Sequence, residues 1–305
     1  MLNKDCPICN HVVNERQPAK HLPLFYRCPH CEGYFHDEGP PPVYEESYFA
    51  EVERPSALGR ALGKAMEVFL WTRKRSIKGV LCNRDGLILD YGCGNGKLVR
   101  YLRKNGLNAE GFDPSLAAVA LAQKDGLPVY HALPEKKYDL IMFWHSLEHT
   151  DTPLEDLRRV ASHLKPDGRL LIAVPNGDSL EALVVGKKWF CYDWPFHRVH
   201  FTPRAMKEML RQIGFIVHSI DYLNPEYSVS SLVQTFLNLL LPANALYSVV
   251  SNRRMTGSRW RVVALGSISL LLLVIFFPLI LIFFLISLAA KRTAAMIVVA
   301  ERKQL

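Results

Sequence analysis

One stretch of the chain, Leu87 to Gly96, constrains the fold more than any other. Its apolar start, Leu87-Ile88-Leu89, is typical of a buried parallel strand, and the strand ends on an acid, Asp90. Three glycines follow at alternate positions: Gly92, Gly94 and Gly96. A helical pattern begins directly after them. A strand, a glycine turn and a helix in this order bring a nucleotide-like ligand against bare backbone and a helix N-terminus.

Asp90 followed by Gly-x-Gly-x-Gly resembles motif I of the class I S-adenosylmethionine (SAM)-dependent methyltransferases. The resemblance implies SAM as the cofactor, with Asp90 beside its methionine amino group and the three glycines against its backbone. Asp113 comes 21 residues after Gly92, where a carboxylate can meet ribose hydroxyls. We place the adenine near His131 and Ala132, and we assign His145 to the same cofactor site. The alternative is a tight turn that binds no ligand.

Length and charge limit the class of protein. The 305 residues give room for one large domain and an appendage. Asp5-Cys6-Pro7 interrupts any early apolar run, so no secretory signal is expected. The formal net charge is +8, and residues 253–303 hold eight basic residues against one acid, on either side of an apolar stretch. This charge distribution is typical of a protein segment that binds a membrane surface. A nucleic-acid partner is not expected.

Two Cys-x2-Cys pairs near the start predict a metal site. The four cysteines are Cys6, Cys9, Cys28 and Cys31. Two such knuckles complete a tetrahedral, structural Zn²⁺ site without an open position, and a redox dithiol is the alternative. We expect a zinc ribbon over residues 1–42, folded largely by its metal because it holds few apolar residues, and a linker at Gly39–Pro42. The ribbon could bind a protein partner or simply cap the enzyme.

Alternating strand and helix patterns fill residues 45–223 and resume at 294–303. They predict an α/β fold with a doubly wound, seven-stranded, Rossmann-like sheet. The last strand, 295–300, is expected to insert antiparallel beside the sixth, as the resemblance to class I methyltransferases implies.

The segment after the fourth strand, His145-Ser146-Leu147-Glu148-His149, resembles the x-x-Leu-Glu-His stretch of many small-molecule methyltransferases. His149 is a candidate general base, since imidazole accepts protons near neutral pH. The alternative is that His149 caps a helix or buttresses the loop. Some quinone O-methyltransferases hold a divalent ion with acids around this motif. His145 stands where such an acid would be, so a catalytic metal is not expected.

A loop rich in aromatic residues, 189–202, supplies further candidates. Its Pro195-x-His197-x-x-His200-Phe201-Thr202 pattern resembles a stretch in methyltransferases of glycan and lipid-linked saccharide pathways. His197 or His200 could accept a hydroxyl proton; the alternative is a packed loop that covers the sheet edge. The Asn/Asp-Pro-Pro-aromatic tetrapeptide of nucleobase N-methyltransferases does not follow the fourth strand. This favours a hydroxyl acceptor.

Residues 224–293 are predicted to form a membrane-associated helical insert. Residues 228–241 have a strongly apolar face opposite Ser230, Ser231, Gln234 and Asn238, typical of a helix in the bilayer interface. Residues 262–290 carry no charge and are long enough to span a bilayer. Because Pro278 divides this run and the last strand must return to the sheet, we expect a re-entrant hairpin with monotopic attachment. One tilted span is the alternative.

Together these patterns predict a SAM-dependent O-methyltransferase on the cytoplasmic face of the inner or plasma membrane. Its acceptor would be a lipid-linked saccharide, a polyprenyl lipid or a quinone-like lipid. Two other functions stay open: a non-catalytic, membrane-bound zinc-ribbon adaptor on a methyltransferase fold, and an RNA or protein methyltransferase.

Overall fold

The computed structural model describes residues 4–13, 17–36, 57–83, 85–250 and 259–303. The predicted linker at 39–42 lies outside these ranges, and so do Arg253 and Arg254.

A seven-stranded sheet forms the centre of the catalytic domain, in the order β12-β13-β10-β9-β6-β7-β8. The strands are β6 (Ile88–Tyr91), β7 (Ala109–Phe112), β8 (Val129–Tyr130), β9 (Tyr138–Trp144), β10 (Leu164–Pro175), β12 (Phe215–Asp221) and β13 (Ala295–Arg302). β13 runs antiparallel to both of its neighbours, and the pairs among β6 to β10 are parallel. The predicted doubly wound fold and the position of its last strand are therefore confirmed.

Helices cover the sheet and leave its strand ends open. They are α1 (Ala57–Val80), α2 (Lys97–Lys104), α3 (Leu116–Lys124), α4 (Pro153–Ala161), α5 (Leu180–Val185) and α6 (Pro203–Gln212). Local sequence signals fix the first residue of several helices. At the start of α6 the Thr202 hydroxyl accepts a hydrogen bond from the Ala205 amide at 3.0 Å, and Pro203 lies in the first turn. Successive apolar residues of β9, β10 and β13 alternate between two buried clusters, one on each face of the sheet.

The amino-terminal ribbon packs onto the catalytic domain. Its described residues form five strands of two residues: β1 (Lys4–Asp5), β2 (Val12–Val13), β3 (Gln17–Pro18), β4 (Tyr26–Arg27) and β5 (Tyr34–Phe35). β5 pairs antiparallel with β11 (Val199–His200) of the catalytic domain. The apolar side chains of Ile8 and Phe25 are at most 1% exposed, because part of their cover comes from the larger domain. The few apolar residues of the ribbon are thus enough to form a shared core.

The insert consists of a π-helical turn (Pro225–Val229) and helices α7 (Ser230–Leu240), α8 (Ala245–Val250) and α9 (Arg259–Ala289). The expected re-entrant hairpin is wrong, because α9 is one continuous helix of 31 residues with Pro278 inside it. Proline removes one helical hydrogen bond, but the flanking apolar turns keep theirs. β13 nevertheless follows α9 directly into the sheet, as expected.

Candidate active site and metal centre

The glycine turn after β6 is joined to the neighbouring strand β7. The amides of Gly92 and Cys93 both donate to the carbonyl of Phe112, at 2.7 and 3.1 Å. Gly92 has φ = 79°, and a Cβ atom there would lie 2.4 Å from the Cβ of Ser146. Only glycine fits this close, left-handed position, so the turn leaves bare backbone at the carboxyl edge of the sheet.

Asp113 lies next to the glycine turn. One of its carboxylate oxygens accepts from the Gly94 amide at 2.7 Å, and the other accepts from the Ser115 amide at 2.9 Å. Burial raises the pKa of Asp113, and these two hydrogen bonds oppose the rise. Each oxygen keeps a second lone pair, which suits a ribose hydroxyl.

Asp90 is 3% exposed at the end of β6, and a cation lies near it. Burial raises the pKa of Asp90 to about 7, while the charge of Arg73 lowers it and that of Asp113 raises it. Arg73 was not among the residues predicted from the sequence for this site. Its spacing on α1, between the buried residues Leu70 and Ile77, places it on the inward helix face and was the available signal. The pair Asp90 and Arg73 offers both charges to an amino-acid head group.

Beyond Asp113 an open cleft of about 470 Å³ lies between α3 and the end of β8. Its lining contains His131 and Ala132, the two residues predicted to hold the adenine, and Tyr130 at the end of β8. The other lining residues are neutral and lie on α3: Leu116, Val119, Ala120 and Gln123. Apolar walls with a few polar groups suit a planar base. The glycine turn, Asp113 and this cleft therefore form one continuous candidate cofactor site.

A histidine cluster, made of His145, Glu148, His149 and His197, lies near the end of β9. His145 has φ = 53°, and its ring stacks on Tyr227 of the insert with ring centroids 3.3 Å apart. Its Nδ1 atom lies 3.1 Å from a carboxylate oxygen of Glu148. Burial lowers the pKa of His145 to about 3, so the ring is neutral. The insert thus covers one side of the cluster.

The other two histidines of the cluster, His149 and His197, contact each other edge to face, with ring centroids 4.7 Å apart. His149 Nδ1 lies 3.0 Å from the Phe196 carbonyl, and His197 Nδ1 lies 2.8 Å from the Cys191 carbonyl. A carbonyl can only accept, so Nδ1 donates and Nε2 is the basic atom of each ring. Burial lowers the pKa of both rings, so both are neutral near pH 7. The neutral form of imidazole is the one that can accept a proton.

Glu148 is fully buried, and one of its carboxylate oxygens has no hydrogen-bond partner among the described residues. Its carboxylate and the rings of His149 and His197 offer ligand atoms within 4.8 Å of one another. These three side chains offer three ligands to a divalent cation. Without a metal, the Glu148 carboxylate would orient the two rings.

His200, the remaining candidate base, lies next to His197 on the side of the ribbon, with 5.6 Å between the two ring centroids. It belongs to β11 and is 0% exposed, with the rings of Phe25 and Trp189 at 4.7 and 5.3 Å. Burial lowers its pKa well below the usual value. His200 therefore packs between the ribbon and the loop of residues 189–202.

The four ribbon cysteines converge on one point. Their sulfur atoms lie within 4.8 Å of one another, with 3.8 Å between Cys6 and Cys31 and 3.7 Å between Cys9 and Cys28. Four thiolates at about 2.3 Å from a tetrahedral Zn²⁺ would lie about 3.8 Å apart. The donor set and the spacing both fit zinc in a closed site.

Residues 70–220 match the model of a family described as "Methyltransferase domain". The curated relatives include a ubiquinone biosynthesis O-methyltransferase of Rhodopseudomonas palustris (strain BisB5), 26% identical over 162 residues, which are 47% of this chain and 64% of that protein. The protein of the same description from Salmonella paratyphi A is 28% identical over 117 residues, 33% of this chain and 48% of the relative. The chain thus matches less than two thirds of the length of these relatives.

Among solved structures, a SAM-dependent methyltransferase from Archaeoglobus fulgidus is 19% identical, with a TM-score of 0.47, over 77% of this chain and 94% of the other. The domain match includes β6 with its glycine turn, Asp113, the adenine-side cleft and the histidine cluster. The strand order, with its antiparallel β13, completes the sheet around them. Residues 70–220 therefore belong to a class I SAM-dependent methyltransferase domain.

Proposed function

We propose that the protein transfers the methyl group of SAM to a hydroxyl group of a membrane-associated acceptor, such as a quinone-like lipid, a polyprenyl lipid or a lipid-linked saccharide. The main support is the joining of Asp113 to the glycine turn, which makes one site for ribose and methionine. The hydroxyl acceptor is supported by the histidine cluster and by the relatives named as O-methyltransferases.

In this proposal Asp90 binds the methionine ammonium group, Asp113 binds the ribose hydroxyls, and the cleft at His131 and Ala132 holds the adenine. SAM supplies an activated methyl group. The acceptor oxygen attacks the methyl carbon, the carbon–sulfur bond breaks, and the hydroxyl proton passes to Nε2 of His149 or His197. Because this displacement depends mainly on in-line placement, the residues contribute chiefly by position.

Membrane attachment is supported by the polarity of α7. Its polar residues face the protein: Ser231 and Thr235 donate to the Glu181 carboxylate at 2.7 and 3.0 Å. Its apolar residues Leu239 and Leu240 are 43% and 52% exposed. Leu232 and Leu237 share the inward face with the polar residues, and the exposed residues Leu239 and Leu240 are apolar. An apolar outward face suits lipid, whereas a helix on a water-facing surface exposes polar residues.

The long helix α9 extends the same apolar surface. By length and composition Ala264–Ala289 could cross a membrane, and only 6% of its most apolar window is buried. Its partly or fully buried residues recur at helical spacing along one stripe: Ser269, Phe276, Ile280 and Ser287. Along this stripe α9 contacts α7 and α8, for example through Phe276 and Phe236, whose ring centroids lie 5.1 Å apart. Because α7 itself lies on the catalytic domain, this packing fits a helix parallel to the membrane surface. We therefore propose monotopic attachment, with α9 in one leaflet on the cytoplasmic face.

A transfer assay tests the proposed function. Purified protein with zinc bound is incubated with labelled SAM and a total membrane lipid extract, next to Asp90→Asn and Asp113→Asn variants. Label in the lipid fraction, lost in both variants, supports the proposal. SAM binding without transfer to lipid, or transfer to protein or RNA instead, would overturn it.

A further inference from the structure

An aromatic loop, residues 186–201, carries His197 and is held in place by the ribbon. Backbone pairing joins the two: Tyr34 opposes His200 and Phe35 opposes Val199. At the start of the loop, Gly186 lies so close to the ribbon that an added Cβ would be 2.8 Å from the carbonyl of His21. Both ends of the loop therefore lie against residues 21–35.

Side chains add to this hold. The ring of Phe25, 1% exposed, lies 4.7 Å from that of His200 and 5.7 Å from that of Tyr192. The Tyr192 hydroxyl donates to the carbonyl of Pro23. The Tyr34 hydroxyl donates at 3.0 Å to Asp178, in the segment before the loop. Phe25 thus fills the space between the ribbon and the middle of the loop.

The same loop builds the histidine cluster. Its Phe196 and Cys191 carbonyls fix the rings of His149 and His197, as described above. The Arg198 amide donates to the Glu148 carbonyl at 2.8 Å, which joins the loop to the end of β9. The cofactor site, in contrast, is built from the turns after β6, β7 and β8 and from α3. Among the residues that the structure describes, the ribbon reaches the histidine side of the active site and not the cofactor site.

We propose that the ribbon supports the acceptor side of the active site: its metal-bound fold fixes the aromatic loop, and the loop fixes His149 and His197. The cofactor site forms without it. Strands of two residues cannot persist alone, so the ribbon depends on its metal for order, and the loop then depends on the ribbon. The term acceptor side rests on the proposed function, but the coupling between ribbon and loop does not.

Hydrogen exchange of the full chain in detergent measures this coupling without any acceptor. Treatment with a strong zinc chelator is expected to speed exchange in residues 189–201 by about tenfold or more, and returned zinc is expected to restore it. Exchange at the glycine turn and the dissociation constant for SAM should change by less than about twofold. Faster exchange confined to residues 4–36 would overturn the proposal, and so would loss of SAM binding. A failed methyl-transfer assay would leave this result intact.

A point substitution separates the loop contact from metal loss. Phe25→Ala should keep zinc, measured by elemental analysis, and still speed exchange in the aromatic loop. Phe25→Leu, which restores apolar volume, should recover most of the protection. Leu24→Ala is the matched control, because Leu24 is 54% exposed beside it. Unchanged loop exchange in zinc-bound Phe25→Ala would contradict the proposal.

Discussion

Arg73, on the first helix of the catalytic domain, donates from Nε and Nη2 to the two carboxylate oxygens of Glu226, in the first turn of the insert, at 2.7 and 2.5 Å. The side chains of the two residues are 16% and 8% exposed. Burial lowers the pKa of Arg73. The electrostatic effects of its neighbours Tyr227 and Glu226 raise it by more, so the pKa of Arg73 is raised overall. The insert is therefore joined to the cofactor site through a cation next to Asp90.

Glu226→Gln should destabilise the protein by about 3–5 kcal/mol, because it leaves the Arg73 charge buried without its counter-charge. Thermal unfolding in detergent measures the loss. Glu155→Gln is the matched control: it breaks a pair with Arg158 in which both side chains are about half exposed, and stability should stay unchanged. Equal stability of the two variants would show that the buried pair does not hold the insert.

SAM binding should weaken as the pH falls through 7. The pKa of Asp90 in the folded protein is raised to about 7, so below this pH the carboxyl is mostly protonated and loses its attraction for the methionine ammonium group. Calorimetry should show about tenfold weaker binding at pH 6 than at pH 8. Asp90→Asn should bind weakly at both pH values. Affinity that stays constant with pH in the parent protein would remove Asp90 from this role.

Much of the fold could be predicted from sequence, because it depends on local patterns. The glycine turn, the strand alternation and the Thr202-Pro203 helix start are all signals within a few residues. Contacts across the chain could not be predicted in this way. Arg73 and Glu226 are 153 residues apart, and no period or motif joins them. The ribbon's pairing with β11 was missed for the same reason.

One error concerns the insert, the predicted hairpin, and it has a physical cause. The amphipathic pattern of residues 228–241 correctly indicated a helix, but hydrophobicity alone could not show that Glu181 would bind its polar face. Pro278 was treated as a helix breaker. The continuous α9 shows that a single proline does not divide a long apolar run when the turns on both sides stay hydrogen-bonded.

His197→Ala and His149→Ala should each lower methyl transfer by about 10²–10⁴-fold if the ring accepts the proton, with SAM affinity little changed. Burial lowers the pKa of both rings, so they stay neutral as pH falls through 6.5, and the acid limb of the rate profile should lie below that pH. Initial rates measured from pH 5 to pH 9 at saturating SAM locate the limb, because saturation removes the effect of Asp90 protonation on SAM binding. His218→Ala, at a position 54% exposed, is the control. An acid limb above pH 7 would point to another base.

The ribbon should bind one zinc ion per chain, and Cys28→Ser should abolish binding. Neither Cys82→Ser nor Cys191→Ser should change the zinc content, because Cys82 is exposed and Cys191 contacts Ser231 instead of the four-cysteine cluster. Elemental analysis after dialysis gives the stoichiometry. Retention of zinc by Cys28→Ser would show that another ligand replaces this thiolate.

Charge on the outer face of α9 should release the protein from membranes. Val274 and Leu279 are 68% and 61% exposed, so Val274→Lys with Leu279→Lys removes few contacts within the protein. Co-sedimentation with vesicles should fall sharply in this double variant while SAM binding persists. The matched control is Val68→Lys, on α1, where Val68 is 56% exposed. Equal loss in both variants would point to a general effect of added charge.

Labelling the two ends of α9 determines how the helix is oriented in the membrane. The helix is about 46 Å long, against a hydrocarbon core of about 30 Å, so length alone permits either a steep tilt or a position within one leaflet. The packing of α9 against α7 and α8 favours the position within one leaflet. Ala264→Cys and Ala290→Cys, each in a Cys82→Ser background, should then react with a membrane-impermeant maleimide from the same side of sealed vesicles. Reaction from opposite sides would establish a span.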